Sequence, residues 1–344
     1  MSVFVEVLRL LTAPLLVAAV LTTGNSDAAD PPADGPPVKF LLEWGSNGVE
    51  PGEFDAPVAI AVNRQDEVLA TDFYNGRVQK FDTQGKLLKV MPVGDFPGGL
   101  AVDADGTFYI SHFGAGRANE ERKVDRITVH GPDGTLLHEW GRFGTASGEF
   151  DEPGGVAITQ DGRVYVADQT NRRVQVFDRL GKFLFEWGKY GVEPGQFGGN
   201  SNPKSRVGGP QFVAIDSHGD IYTTEASVGR IQRFTAEGKF LLQWGTNDDQ
   251  PGAFGGVFTG FPNVKLQGPV AIVVDPQDRL WISAVGGRIQ QFTREGKLLR
   301  GFGGVQGSEP GQFYAPHGLA LDSHGDLYVV DLYNHRIQKF DVGK

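Results

Sequence analysis

The side chains best suited to chemistry are four carboxylates that recur along the chain, each followed five positions later by an arginine. The four pairs are Asp72 and Arg77, Asp168 and Arg173, Glu225 and Arg230, and Asp331 and Arg336. A ring of carboxylates would suit a hard cation such as calcium. A four-residue loop would instead set each acid opposite its arginine across a hairpin, as a charge-assisted pair. We favour structural pairs, because the copy that has Ala284 in place of the acid also has a shorter loop.

Two histidines and a glutamine make up a second candidate site. His317 and Gln211 each follow a proline that opens a repeated unit, and His112 occupies the acid position of another copy. Zinc catalysis needs about three protein ligands and an open position, which two histidines at inequivalent positions supply poorly. We therefore expect these three residues to form at most a binding site where the units converge. No cofactor is expected, with zinc or calcium as the alternatives.

These candidate residues are positioned by a unit that returns six times. A period of about 40 to 60 residues indicates a repeat architecture. Each copy opens at a proline, and these are Pro57, Pro97, Pro153, Pro210, Pro269 and Pro316. A complete copy reads as four short apolar strands joined by turn residues such as Asp161-Gly162, which supply the positive φ of a tight hairpin. A four-stranded unit must pack on its neighbours, so the sequence predicts an all-β, six-bladed β-propeller.

The ends of the repeat region indicate how the ring closes. The last copy stops after its third strand, and an unpaired strand-like segment, Lys39 to Gly45, precedes the first proline. This segment matches the fourth strands Lys182 to Gly188 and Lys239 to Gly245. We expect it to complete the last blade, which would leave no open sheet edge between the first and last blades.

A motif of the form Asn-x-Arg-(Ile/Val)-Gln-x-Phe begins in the loop before the third strand and includes that strand. It occurs in three copies, Asn75 to Phe81, Asn171 to Phe177 and Asn334 to Phe340. With it, residues 39 to 344 resemble the NHL-repeat family of six-bladed propellers. That resemblance implies a protein-binding or RNA-binding module. It also implies a more distant similarity to the peptidyl-hydroxyglycine amidating lyases, in which a position resembling that of His317 supplies zinc-binding histidines from several blades. Only His317 matches that position here.

The segment before the repeats is predicted to be a targeting sequence. Residues 1–28 resemble a signal peptide, with Arg9 before an apolar stretch from Leu10 to Leu21 and small residues after it. An uncleaved anchor is the alternative, although about a dozen apolar residues is short for a bilayer span. Residues 29–38 form a proline-rich tether, and residues 39–344 form the propeller. The sequence thus predicts export to the periplasm, the cell envelope or the exterior, with no membrane span in the mature chain.

Charge and composition narrow the function classes. The formal net charge is −10, and the chain has 49 glycines and no cysteine. So acidic a domain lacks the basic surface on which nucleic-acid binding rests, which disfavours an RNA-binding role. We expect a binding module or protein-interaction scaffold for a protein or small-molecule ligand. It would use the propeller face that carries the long loops within 113–124, 198–209 and 246–268. The alternative is a metal-assisted lyase or hydrolase centred near His112, Gln211 and His317.

Overall fold

The computed structural model describes residues 37–114, 124–198, 208–255 and 268–343. They form six antiparallel sheets of four strands, and each sheet corresponds to one repeated unit. No helix in these ranges is long and apolar enough to cross a membrane. Residues 1–36 lie outside the described ranges, and with them the predicted leader and most of the predicted tether.

The six blades are numbered in chain order, and each runs from an inner strand at the propeller axis to an outer strand. The first strand of the chain is β1 (Lys39–Trp44). Blade 1 contains β2 (Pro57–Val62), β3 (Val68–Asp72), β4 (Arg77–Phe81) and β5 (Leu87–Pro92), and blade 2 contains β6 (Pro97–Val102), β7 (Phe108–His112), β8 (Arg126–His130) and β9 (Leu136–Trp140). Blade 3 contains β10 (Pro153–Ile158), β11 (Val164–Asp168), β12 (Arg173–Phe177) and β13 (Phe183–Trp187), and blade 4 contains β14 (Val213–Ile215), β15 (Ile221–Glu225), β16 (Arg230–Phe234) and β17 (Phe240–Trp244). Blade 5 contains β18 (Pro269–Val274), β19 (Leu280–Ala284), β20 (Arg288–Phe292) and β21 (Leu298–Gly303), and blade 6 contains β22 (Pro316–Leu321), β23 (Asp326–Asp331), the short 3-10 helix Leu332–Asn334 and β24 (Arg336–Asp341).

Burial follows the position of a strand within its blade. The middle strands β11 and β12 are buried along their whole length, because neighbouring blades cover both of their faces. The outer strand β13 alternates between exposed and half-buried residues, as expected for a strand with one face in solvent. The tight turns include Asp103 to Gly106, where Gly106 has φ +87° and its N–H donates to the Asp103 carbonyl at 3.1 Å.

The ring closes as the sequence predicts. Strand β1 pairs antiparallel with β24 and completes blade 6, so that sheet is ordered β1, β24, β23, β22. Its register places Phe40 opposite Phe340 and Trp44 opposite Ile337. The Phe40 and Phe340 rings meet edge to face with centroids 5.9 Å apart. The N-terminal strand therefore holds together the two ends of the repeat array.

Fully buried phenylalanines from the blade-to-blade connections fill the space between blades. Phe54 packs on Phe81 of blade 1 and, in the same core cluster, on Tyr328 and Ile337 of blade 6. Phe150, Phe197 and Phe313 are equally buried. Phe254 has the same role, although alanine precedes it where the other copies have Glu or Gln.

Blade 4 departs from the expectation of six equivalent inner strands. Its inner strand β14 begins only at Val213, because the Gln211 N–H donates to the Thr224 carbonyl while the Gln211 carbonyl accepts from Gly155 of blade 3. Phe212 follows and packs against core clusters contributed by several blades. At the equivalent position the other five blades have only small residues, Ala59, Gly99, Gly155, Ala271 and Gly318. A single aromatic ring thus fills the axis at this level.

Candidate functional site

In each of the four acid–arginine pairs, the acid lies opposite its arginine across the hairpin that ends at the long-loop face. The Arg Nε to carboxylate distances are 2.7 Å for Arg77 and Asp72, 2.8 Å for Arg173 and Asp168, 2.7 Å for Arg230 and Glu225, and 3.0 Å for Arg336 and Asp331. The four carboxylates have no exposed side-chain surface. Burial raises the pKa of each acid, and that of Asp168 reaches about 6, with Arg173 opposing the shift.

Each pair also fastens the chain segment that leads into its blade. Asp72 accepts a hydrogen bond from the Asp55 N–H at 2.7 Å, and Arg77 donates to the carbonyls of Glu50 and Glu53 at 2.9 and 2.8 Å. Gln79 adds a further bond to the Glu53 carbonyl. The other three arginines also donate to backbone carbonyls of the preceding connection, which is the arrangement of a structural clamp.

His112 lies inside blade 2 and has protein partners at both ring nitrogens. Its Nδ1 lies 2.8 Å from the Asp95 carbonyl, and its Nε2 lies 2.8 Å from Thr128 Oγ1. Burial lowers its pKa to about 3, because a buried imidazole is poorly solvated when charged. The structure therefore gives His112 a place in a hydrogen-bonded network within the blade, and neither nitrogen is available as a metal ligand.

His317 belongs to a circular belt of hydrogen bonds around the axis. At every blade interface the carbonyl that follows the opening proline accepts a bond from the preceding blade. The donors and acceptors are Thr71 Oγ1 to Gly98, Ser111 Oγ to Gly154, the Gly155 N–H to Gln211, Thr224 Oγ1 to Val270, Ser283 Oγ to His317, and His317 Nδ1 to Val58. Blades 3 and 6 have Ala167 and Val330 where the other blades have the hydroxyl residue. In blade 6 the His317 imidazole, 3.0 Å from the Val58 carbonyl, supplies the missing link.

Gln211 lines a small cavity at the mouth of the axial channel on the long-loop face. Gln211 is 7% exposed, and its Oε1 has no hydrogen-bond partner among the described residues. The cavity has room for about one water molecule. Its lining includes the apolar residues Val58, Phe113 and Phe212 and the polar residues Glu152, Gln169 and Gln211.

Glu152 and Gln169 were not predicted from the sequence as site residues. Both lie at repeat positions that are otherwise apolar or glycine. Ala56 and Ala315 are equivalent to Glu152, and Phe73 and Leu332 are equivalent to Gln169. A comparison of the copies position by position would have marked both residues. Glu152 also has a left-handed backbone, φ +58°, which is uncommon for a residue other than glycine.

The structure brings only part of the predicted site together. Gln211 lines the mouth cavity, and His317 contacts two other residues of its lining, Val58 through a hydrogen bond and Phe212 through rings 5.5 Å apart. His112 is not among the lining residues. Phe212 also borders the channel of about 270 Å³ below it, which the six inner strands line. The Phe212 ring therefore separates the mouth cavity from the channel.

Within the described ranges, one group of three side chains has the geometry of a metal site. Asp216, His218 and Asp278 offer ligand atoms within 4.8 Å of one another, on the tight-turn face between blades 4 and 5. The Asp216 carboxylate already accepts hydrogen bonds from the His218 and Asp220 N–H groups, from Tyr222 and from Arg294. Asp278 accepts two from Ser217. These bonds explain the cluster as a turn that holds two blades together.

Comparisons with known proteins agree with this architecture. The sequence model of the NHL repeat matches residues 54–81, 150–177 and 313–340. "Protein brain tumor" of Drosophila melanogaster is 28% identical over 168 residues, which cover 48% of this chain and 14% of that protein. Human "NHL repeat-containing protein 3" is 29% identical over 123 residues, 32% of this chain and 34% of that protein. The "probable peptidyl-alpha-hydroxyglycine alpha-amidating lyase pgal-1" of Caenorhabditis elegans is 41% identical over 51 residues, 15% of this chain and 13% of that protein.

Each of these matches spans about a third or less of the curated relative.

Among solved structures, a streptogramin B lyase superposes with a TM-score of 0.57 at 18% identity, covering 89% of this chain and 98% of that one. A protein of unknown function from Bacteroides thetaiotaomicron gives 0.63 at 17% identity, covering 89% and 76%. At such identity the likeness concerns the fold alone. Repeat motif, strand order and superposition agree, and the chain contains NHL repeats at residues 54–81, 150–177 and 313–340 within a six-bladed propeller.

Proposed function

We propose that this propeller is a binding module whose long-loop face holds a protein or small-molecule partner. The observation that carries the proposal is the side-chain amide oxygen of Gln211, Oε1, which is buried at the channel mouth without a partner among the described residues. A buried acceptor without a donor is costly, so a partner that supplies an N–H or O–H group would gain from binding there. Because the cavity has room for little more than that one group, the donor must be small, and Val58, Phe113 and Phe212 make its surroundings apolar.

The test compares two single substitutions in affinity capture from the native cell envelope. Gln211→Val introduces the residue that blades 1 and 5 have at the equivalent position, Val58 and Val270. Gln277→Val, on the exposed tight-turn face, is the matched control. We expect the wild type and Gln277→Val to capture the same partner and Gln211→Val to lose it, with unchanged melting temperatures. Equal capture by all three proteins would place the binding surface elsewhere.

We also propose export, on the basis of the leader-like residues 1–28. Mass spectrometry of the protein from its native cell should show an N-terminus near residue 28 and enrichment in the envelope or secreted fraction. An intact N-terminus in the envelope would favour an anchor, and an intact N-terminus in the cytoplasm would contradict export.

The alternative function is a metal-assisted lyase or hydrolase at the channel mouth. Its support is the local 41% identity to the C. elegans protein named as a probable amidating lyase. The geometry favours the binding module, because protein groups already occupy both ring nitrogens of His112, and His317 Nδ1 is bonded to the Val58 carbonyl.

A further inference from the structure

Three buried polar residues of blade 2 replace the residues that other blades have at the same positions. His112 takes the place of the repeated acid, Thr128 that of a glutamine and His130 that of a phenylalanine. The replaced residues are, for example, Asp72, Gln79 and Phe81 in blade 1. His112, Thr128 and His130 are at most 2% exposed. The three changes occur in one blade, and the new side chains contact one another, so they form a unit.

The three side chains form a continuous chain of hydrogen bonds through the blade. At one end His112 Nδ1 lies 2.8 Å from the Asp95 carbonyl, and at the other His130 Nδ1 lies 3.1 Å from the Gly134 carbonyl. Between them Thr128 Oγ1 lies 2.8 Å from His112 Nε2 and 3.0 Å from His130 Nε2. One hydroxyl group thus connects the two imidazoles.

With both imidazoles neutral, this hydrogen-bonded chain lacks one of the protons that its four hydrogen bonds require. A carbonyl oxygen only accepts, so the bonds at its two ends require a proton on Nδ1 of His112 and of His130. A neutral imidazole carries one N–H, which leaves both Nε2 atoms as acceptors. The Thr128 hydroxyl has a single proton and can donate to only one of them. One added proton resolves the conflict, because a charged imidazole donates from both nitrogens, and the hydroxyl then accepts from it and donates to the other.

We infer that His112, Thr128 and His130 form a buried proton-binding site that takes up one proton shared between the two imidazoles. The charged groups around the pair place that proton on His130. Arg126 lies opposite His112 in the sheet and disfavours a positive charge there. Glu139, on the next strand, pairs with Arg126 at 3.0 Å and favours a charge on His130.

The surroundings of His130 add to this preference. The Phe108 ring stacks on the imidazole with centroids 5.2 Å apart and an interplanar angle of 10°, and an aromatic face attracts a cation. Burial acts against the charge. The affinity for the proton therefore depends on two opposing effects: burial disfavours the charged imidazole, and the hydrogen bond gained on protonation favours it. Because the two imidazoles share Thr128, the pair titrates as one coupled system.

This site goes beyond the proposed binding function and connects to it. The Asp95 carbonyl, bonded to His112, lies in the connection that enters blade 2 at the long-loop face. Phe113, which follows His112, donates its N–H to the Phe96 carbonyl of the same connection at 3.4 Å. Proton uptake thus completes a hydrogen-bonded chain that is anchored on this connection through the Asp95 carbonyl.

The test is a pH titration of the histidine side chains by 1H–15N NMR. His130→Phe introduces the residue of the other five blades and leaves the Thr128 hydroxyl to His112 alone, and Thr128→Val removes the shared hydroxyl. We expect the first proton to bind wild-type protein at a pH at least about one unit higher than in either variant, a tenfold difference in affinity. Thr128→Ser should titrate like the wild type, and so should His138→Phe, which changes another histidine of blade 2.

Two results would overturn the inference. One is a titration of His112 that is the same in the wild type and in His130→Phe. The other is a wild-type pair that stays neutral over the whole pH range in which the protein is folded. If Thr128→Val does not fold, the comparison of the wild type with His130→Phe still tests the inference. His130→Phe should fold, since it carries the phenylalanine of the other blades.

Discussion

The side chain of His317 performs at the last blade interface the task that a hydroxyl group performs at four others. Val330 offers no donor, and the imidazole reaches the Val58 carbonyl from the inner strand of the same blade. The belt of hydrogen bonds is thereby closed between the last and first blades, where the chain itself is not continuous. This role accounts for the buried position of His317 at the axis, and no bound ligand is needed to explain it.

The first prediction concerns the pH dependence of stability that His317 causes. Burial lowers its pKa in the folded protein to about 4, whereas an unfolded histidine titrates near about 6.5. Below pH 6.5 the unfolded state therefore binds a proton that the folded state does not, so this contribution to stability is complete above pH 6.5 and is lost as the pH falls toward 4. When the pH falls from 7 to 4.5, His317 should lower the free energy of unfolding of the wild type by about 2 to 3 kcal/mol.

Urea unfolding of the wild type and His317→Gln at both pH values measures this effect. The buried acids and His112 contribute equally to both proteins, so the difference between the two losses isolates His317. We expect His317→Gln to be less stable at pH 7 but to lose less on acidification. Equal losses would mean that His317 is charged in the folded protein.

The second prediction concerns the acid–arginine clamps. Arg336→Ala leaves Asp331 buried without its guanidinium, although Asn334 and the Tyr314 N–H still donate to it. The free energy of unfolding should fall by about 1 to 3 kcal/mol. Arg288→Ala is the matched control, because Ala284 faces Arg288 and no buried acid is left behind.

Denaturant titration of both variants decides the matter. The double variant Asp331→Asn, Arg336→Ala should recover part of the loss, since a neutral side chain needs no counter-charge. If Arg336→Ala keeps full stability but loses binding of a divalent ion or ligand, the ring of acids is a site and the clamp interpretation is wrong.

At the scale of elements, most of the structure could be predicted from the sequence. Apolar runs of regular length between Asp-Gly or His-Gly turns predicted four strands for each unit, and the match of Lys39 to Gly45 with later fourth strands predicted the closure. The short strand β14 could not be predicted, because Pro210 aligns with the other opening prolines. Its departure depends on contacts of Gln211 with Thr224 and Gly155 that only the assembled ring provides.

The third prediction tests the closing strand. A chain that begins at residue 47 lacks β1, which would leave β24 with an unpaired edge and uncover Phe340. We expect it to melt at a much lower temperature than the full chain or to fail to fold, as for a repeat array that loses its terminal contact. A chain that begins at residue 37 keeps β1 and should melt like the full chain. Equal melting temperatures for both truncations would refute the closure.

At the scale of the whole molecule, the fold could be predicted from the sequence, but only part of the candidate site could. A repeat fixes the architecture because every copy must pack in the same way. The mouth cavity depends instead on where copies differ, and its walls combine residues of several blades, among them Val58, Phe113 and Gln169. Gln211 was identified from its repeat position. The place of Phe212 at the axis follows from small residues in five other blades, a relation that no single copy displays.

The fourth prediction separates a binding module from a metal enzyme. His112 and His317 belong to blades 2 and 6, with blade 1 between them, and the bonds of His112 to Asp95 and Thr128 occupy both of its nitrogens. A zinc ion would need both imidazoles at about 2.0 to 2.1 Å, and therefore both the blade 2 network and the belt bond to Val58 would have to break. We expect elemental analysis of protein purified without chelator to show no stoichiometric zinc. His317→Ala should then leave the metal content unchanged, as should the control His324→Ala at an exposed turn of the same blade. One zinc per chain that disappears in His317→Ala but persists in His324→Ala would establish the enzyme in place of the binding module.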